Sequence, residues 1–202
     1  MSSSIQEEGN LLFPVFFRLD KVSLVVIGGG AVGLEKTEAI LRNNGAARIK
    51  LVAPEIREEI QQLASKHKGL ELVYKPFSPD DLDGADLIIS ATCIKALNAE
   101  VHNEAKRRKI ICNVADTPDL CDFYMCSVVK KGDLKLGIST NGKSPTFAKR
   151  MRELLDDILP SSIHELLANL NTIRDQLKGD FEYKVKKMDE LTSSMRDKRP
   201  EE

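Results

Sequence analysis

The apolar positions follow two rhythms. Short runs rich in β-branched side chains recur between longer stretches in which apolar residues return every three or four positions. The runs 22–27 (VSLVVI), 48–53 (RIKLVA), 70–74 (LELVY), 86–91 (DLIISA) and 110–114 (IICNV) read as strands. Their near-continuous apolar character fits a sheet covered on both faces. Between the first two, 33–43 carries Leu34, Ala39, Ile40 and Leu41 at helical spacing, with Ala31 and Val32 ahead. Helices are also expected over 56–67 and 95–108. Asn44 and Gly45, which both tolerate a left-handed cap, are placed to end the first helix. Strands alternating with helices predict right-handed crossovers and an α/β, doubly wound parallel sheet.

The pattern changes after Thr117. Two strand-like runs, 123–129 and 134–140, are joined by KKGD, a hairpin-like step. Ser144 and Pro145 suit the N-cap and first turn of a helix reaching about Leu159, where Pro160 breaks it. Ser162 and Glu165 suggest a capping box opening a last helical stretch. The charged end, SSMRDKRPEE, is expected to fray. The chain is thus divided into 1–116, 117–147 and a helical 148–202.

Composition narrows the function classes. With 202 residues, 42% hydrophobic and 30% charged, the chain can bury an ordinary globular core. Thirty Lys and Arg against 31 Asp and Glu give no global case for nucleic-acid or membrane binding. No apolar run reaches membrane-spanning length, and the polar start MSSSIQEEGN lacks signal-peptide character, so a cytoplasmic protein is expected. The four cysteines form no C-x-x-C pair; reduced, mostly buried thiols are expected, with Cys93 and Cys112 in strand-like segments. His67, His102 and His164 stand outside every motif and read as surface or capping residues, so no fixed metal site is expected.

The candidate chemistry begins at Gly28-x-Gly30-x-x-Gly33, between a strand and a helix. The first glycine permits a tight turn, the second lets backbone approach a pyrophosphate, and the third lets helix pack close to strand. The helix N-terminus then receives the phosphates. Open parallel sheets bind ligands beyond the C-terminal ends of their strands. Here those ends are Gly28–Gly33, Ala53–Glu55, Ala91–Thr92 and Asn113–Asp116. Glu55 suits the ribose hydroxyls, directly or through the backbone of Pro54 and Glu55, and equally suits a first-turn helix acid. No arginine stands at that strand end, which favours NAD over NADP, although Arg57 is close. On residues alone, Asp116 fits either a turn aspartate before Thr117-Pro118 or a general base.

Five segments carry a family resemblance: LFPVFFRLDKVSLVVIGGGAVGLEKTEAIL, VAPE, ATCIKALNAEV, ICNVADTPDLCDFYMCSVV and GISTNGKSPTFAKRMRELL. In this order and spacing, over roughly 11–160, they resemble the precorrin-2 dehydrogenases of sirohaem synthesis. That family includes dehydrogenase/ferrochelatases and the corresponding half of multifunctional sirohaem synthases. The resemblance implies a Rossmann-type NAD domain with cofactor contacts at Gly28, Gly30, Ala31, Val32, Gly33, Ala53, Pro54, Glu55, Thr92 and Asn113. It implies oxidation of precorrin-2 to sirohydrochlorin, with Asp116 of NVAD as the catalytic group and, in some members, Fe²⁺ insertion as a second step. Ser127, Asn141, Gly142, Lys143 and Ser144 are the implied substrate-binding residues. Lys149 and Arg150 could join them in receiving carboxylates, or form a solvated helix face with Arg152. The resemblance also implies a homodimer formed through 117–147. The competing reading is a regulatory module that senses NAD or NADH; it would need neither Asp116 nor the Ser144 helix.

Overall fold

The structure is a computed structural model and describes residues 9–193. The described residues form two compact units, Phe13–Met125 and a second made from 9–12 together with 126–193. The first unit continues past Asp116, where the expected nucleotide-binding segment ended.

The first unit holds five strands: β1 (Ser23–Ile27), β2 (Arg48–Ala53), β3 (Leu70–Tyr74), β4 (Leu87–Ser90) and β5 (Ile111–Val114). They form one parallel sheet in the order β3-β2-β1-β4-β5. This is the doubly wound order, reversing direction beside β1. Helices α1 (Ala31–Asn43), α2 (Glu58–Lys66) and α3 (Lys95–Arg108) connect the strands. Alternate residues of β1 supply both layers of the core. Leu24 and Val26 join Ile40 and Leu41 of α1 and Ile60 of α2. Val25 and Ile27 join Val101 and Ala105 of α3 and Cys112 and Val114 of β5. Each fully buried Val, Ile or Leu contributes roughly 1.5–3 kcal/mol. A sheet buried on both faces is why the strands read as unbroken apolar runs rather than alternating ones.

The second unit contains an antiparallel hairpin, β6 (Ser127–Lys131) and β7 (Leu134–Ile138), and helices α4 (Pro145–Ile158), α5 (Ile163–Gln176) and α6 (Phe181–Thr192). Gly132 makes the hairpin turn with φ +59°, and a Cβ there would lie 2.3 Å from Cβ of His164 on α5. Conformation and close packing both demand glycine at that point. His164 is exposed, and its Nδ1 lies 2.8 Å from the Ser161 carbonyl oxygen. Among the described residues of the whole chain, no helix is long and apolar enough to cross a membrane.

Several expected local features differ. Residues 123–126 are not strand; Phe123 and Met125 instead pack on the core of the first unit, and β6 begins at Ser127. Ser162 forms no capping box, because it already has helical dihedrals (φ −72°, ψ −2°) and its side chain caps nothing. Asn44 is extended rather than left-handed, and its Oδ1 accepts the Ala46 N–H at 2.9 Å. Helix α2 starts at Glu58 because Arg57 is extended and donates its N–H to Gly29 O at 3.0 Å. Cys93 and Cys126 are exposed, against the expectation of mostly buried thiols. Cys93 falls in the loop beyond β4 rather than in the strand. The expected frayed end lies outside the described residues from Ser194 onward.

A buried carboxylate fixes the loop from β3 to β4. Asp81 Oδ2 accepts the Ser78 N–H at 2.9 Å, and Oδ1 meets Lys75 Nζ at 2.9 Å. Burial acts to raise the Asp81 pKa, but the Lys75 and Ser78 hydrogen bonds outweigh it and hold the carboxyl below its ordinary value. A depressed folded pKa contributes stability above the unfolded value of about 4, and that stability fades as pH falls through the folded value. Asp81→Asn is therefore expected to cost about 1–2 kcal/mol at pH 7, and less at pH 3, by urea unfolding at both pH values.

Candidate active site

The glycine turn is built from three close backbone approaches. Gly28 has φ +121°, and a Cβ there would stand 2.5 Å from the Ala91 carbonyl oxygen. A Cβ on Gly33 would stand 2.1 Å from the Gly28 carbonyl oxygen, so α1 lies directly against the end of β1. Gly29 was not singled out by its position between the motif glycines. A Cβ there would stand 2.2 Å from the Glu55 carbonyl oxygen. Gly30 differs from all three: its Cβ would meet nothing within 4 Å.

That open position caps α1. Gly30 has no side chain to cap the helix, and the first turn carries no acid. Leu34 is the first residue whose N–H returns to the turn, donating to Gly30 O at 2.9 Å. The N–H groups of Ala31, Val32 and Gly33 therefore precede the intrahelical ladder, and the helix dipole adds positive potential there. Open backbone, uncapped donors and no competing carboxylate together fit a pyrophosphate.

The neighbouring strand ends line the same edge. Ala53 is buried, whereas Pro54 and Glu55 are exposed. The Glu55 carboxylate has no partner among the described residues. Arg57 is engaged: its Nε and Nη2 donate to the two carboxylate oxygens of Glu59 at 3.2 and 2.6 Å. Both groups are half-exposed, so this pair adds little stability.

Beyond β4, Thr92 belongs to a network centred on Asn98, which sequence reasoning missed. Asn98 is buried in the first turns of α3. Its Oδ1 accepts from Ser90 Oγ at 2.8 Å and Thr92 Oγ1 at 2.6 Å, while its Nδ2 donates to Thr92 O at 3.0 Å. One amide thus fixes the loop whose Ala91 carbonyl presses on Gly28. An asparagine at helical spacing gives no outward sign of this; the nearby Ser90 and Thr92 were its only signal.

Asp116 lies past the end of β5. Ala115 donates its N–H to Ser90 O at 2.9 Å, extending the β4–β5 pairing. Thr117 N–H returns to Val114 O at 3.3 Å, closing a turn over Ala115 and Asp116. Asp116 has φ +58° and is exposed. Its carboxylate has no hydrogen-bond or ion-pair partner among the described residues. Asn113 is buried, and its Nδ2 donates to Phe123 O at 2.8 Å.

In the second unit, Asn141 (φ +52°) and Gly142 (φ +73°) form consecutive left-handed positions. Lys143 N–H donates to Thr140 O at 3.0 Å across them. Asn-Gly is the pair that such a turn favours. Ser144 follows as the N-cap of α4, its Oγ accepting the Phe147 N–H at 3.2 Å. Pro145 opens the helix as expected. Lys143, Lys149 and Arg150 are exposed; Arg152 instead approaches Glu153 at 3.4 Å. Ser127 starts β6, half-buried and paired with Ile138. Among the described residues, no three His, Cys, Asp or Glu side chains gather where they could hold a metal ion.

Residues 15–127, more than half of the chain, match the family described as "Putative NAD(P)-binding". Residues 131–158 match "Sirohaem biosynthesis protein central". The chain belongs to the family described as putative NAD(P)-binding. Among curated relatives, sirohaem synthase of Psychrobacter arcticus is 35% identical over 173 residues, 86% of this chain and 30% of that protein. Sirohaem synthase of Pseudomonas fluorescens is 35% identical over 166 residues, 82% of this chain and 35% of that protein. The chain spans about a third of the length of these curated relatives. Among solved structures, the precorrin-2 dehydrogenase SirC matches with a TM-score of 0.72 and 25% identity, over 89% of each chain.

The glycines separate packing from ligand approach within this family's turn. Gly30→Ala is expected to leave stability within about 0.5 kcal/mol, because the site is open and φ is −84°. It should weaken NAD⁺ binding by about tenfold by crowding the backbone approach. Gly33→Ala improves helix propensity by up to about 1 kcal/mol, yet it should destabilise the fold through the Gly28 carbonyl. Urea midpoints and NAD⁺ titration of the two variants check both halves.

Proposed function

We propose that the chain is an NAD-dependent precorrin-2 dehydrogenase, producing sirohydrochlorin in sirohaem biosynthesis. The observation that carries this reading is Asp116: an exposed, unengaged carboxylate at the same sheet edge as the glycine turn, on a non-glycine residue held at φ +58°. A sensor of NAD or NADH has no need of such a group. The family match and the likeness to SirC supply the substrate class.

In this proposal the backbone donors of Ala31, Val32 and Gly33 hold the pyrophosphate, and Gly28 and Gly30 keep its path clear. Ala53 and Pro54 form the floor beside the ribose, and Glu55 accepts its hydroxyls. Arg57 is taken up by Glu59, which supports NAD over its 2′-phosphorylated form. Thr92 and Asn113 shape the edge through the loops they tie down, Thr92 through Asn98 and Asn113 through its Nδ2. When bound, NAD⁺ accepts a hydride, and the oxidation of precorrin-2 also releases a proton. Asp116 takes that proton. Ser127, Asn141, Gly142, Lys143 and Ser144 bind the substrate, an octacarboxylate suited to the basic residue and helix N-terminus they provide.

Homodimerisation and a cytoplasmic location belong to the same proposal. Phe147, Leu154 and Ile158 of α4 are exposed, an apolar face of the kind that self-association covers. Light scattering at micromolar concentration is expected to return twice the chain mass; a monomer would count against the dimer.

Replacing Asp116 by Asn keeps shape and removes the base. NADH formation from precorrin-2 should fall on the order of 10²–10⁴-fold, with NAD⁺ affinity unchanged. A near wild-type rate would sink the catalytic assignment, and NAD⁺ binding without turnover by the wild-type chain would favour the sensor. Fe²⁺ insertion, with the ion as substrate, is tested separately by sirohaem absorbance from sirohydrochlorin and Fe²⁺ without NAD⁺.

A further inference from the structure

Asp116 is held in the left-handed region (φ +58°), a conformation that its surroundings must favour. The carboxylate itself contributes nothing, since it has no partner among the described residues. The restraint comes instead from residues 121–123, which return along the free side of β5. Asp122 exchanges two hydrogen bonds with Cys112: its N–H donates to Cys112 O at 2.8 Å, and its Oδ2 accepts the Cys112 N–H at 2.9 Å. Asn113 Nδ2 holds Phe123 O at 2.8 Å. These bonds seat the segment, and they place the Cys121 thiol beside the Asp116 turn.

The sulfur touches both ends of that turn. Cys121 Sγ accepts the Val114 N–H at 3.3 Å and lies 3.1 Å from Val114 O. It also lies 3.4 Å from Thr117 O. Val114 and Thr117 are the residues whose hydrogen bond closes the turn over Asp116. By accepting the Val114 N–H and holding its own S–H within reach of the Thr117 carbonyl, the thiol links the strand end to the residue just after the carboxylate.

We propose that Cys121, seated by Asp122 and Asn113, is a positioning residue that fixes the turn carrying Asp116. The inference rests on the reading of Asp116 as the proton acceptor. Burial raises the Cys121 pKa, which keeps the thiol protonated and able to donate at neutral pH. The adjacent Cys112 is pushed up to about 12, chiefly by burial, and stays neutral as well. Neither thiol is a nucleophile here; the sulfur acts as a hydrogen-bonding strut.

The test compares kcat and KM for NADH formation in the full chain for wild type, Cys121→Ala, Cys121→Ser, Asp116→Asn and the Ala/Asn double variant. Cys121→Ala should lower kcat by about tenfold or more, the scale of loss when a reacting group is misplaced. Its KM for NAD⁺ should stay within about twofold, because the glycine turn is untouched. Cys121→Ser keeps a donor and an acceptor and should recover to within about threefold of wild type. In the Asp116→Asn background the Ala change should add nothing, as groups acting as one unit are non-additive. A Cys121→Ala rate within about twofold of wild type, or an equal loss in both backgrounds, overturns the inference. Should the Ala variant fail to fold, Cys121→Val replaces it, since the extended backbone (φ −108°, ψ 121°) accepts a β-branched residue and the hydrogen bonds are still lost. A wild-type rate in Asp116→Asn overturns the reading of Asp116 itself. A slow Asp116→Asn beside a wild-type Cys121→Ala overturns only the role of Cys121.

Discussion

Three carbonyl oxygens set the geometry of the nucleotide-binding unit. Those of Gly28, Ala91 and Glu55 sit so close to Gly33, Gly28 and Gly29 that no Cβ fits between. The first contact fixes how near α1 approaches β1. The second locks the β4–α3 loop against the turn, and the third brings the β2–α2 connection over it. Everything at the C-terminal edge of the sheet inherits its position from these approaches. Asn98 completes the arrangement by holding Ser90 and Thr92, so that the Ala91 carbonyl cannot drift away. Backbone packing and one buried amide, rather than charged pairs, make the edge rigid.

The chemistry then follows from which polar groups remain uncommitted. Thr92, Asn98 and Asn113 are used in holding loops, and Arg57 is bound to Glu59. The first-turn N–H groups of α1, the Glu55 carboxylate and the Asp116 carboxylate are left over. On the reading proposed above, that set supplies donors for a diphosphate, an acceptor for hydroxyls and one base, which a packing turn of the same spacing would not need.

Much of this was legible in the sequence, for identifiable reasons. Parallel strands buried on both faces leave continuous apolar runs, so β1 to β5 stood out, and their alternation with helices implied a doubly wound parallel sheet, though not the order of its strands. The spacing of Gly28, Gly30 and Gly33 located the turn, and Ser144-Pro145 located the start of α4. What escaped notice depends on contacts distant in the chain. Phe123 and Met125 look like strand residues but serve the core of the first unit. Ser162 has the right partner in Glu165, yet its own backbone is already helical. Gly29 occupies a variable motif position, and only the approach of Glu55 shows why it too is glycine. Asn98 had only Ser90 and Thr92 nearby as a signal, and Cys121 had none, because a side chain that ties down the loop just before it leaves no periodic pattern.

The segment that seats Cys121 also decides where the sheet stops. β5 is an edge strand, and an uncovered edge offers unpaired N–H and C=O groups to any extended chain nearby. Asp122 occupies both backbone groups of Cys112, and Cys121 takes the N–H of Val114. A sixth strand cannot dock there without displacing a carboxylate and a thiol. Residues 121–123 therefore act as a terminator for β-pairing at this edge of the folded sheet.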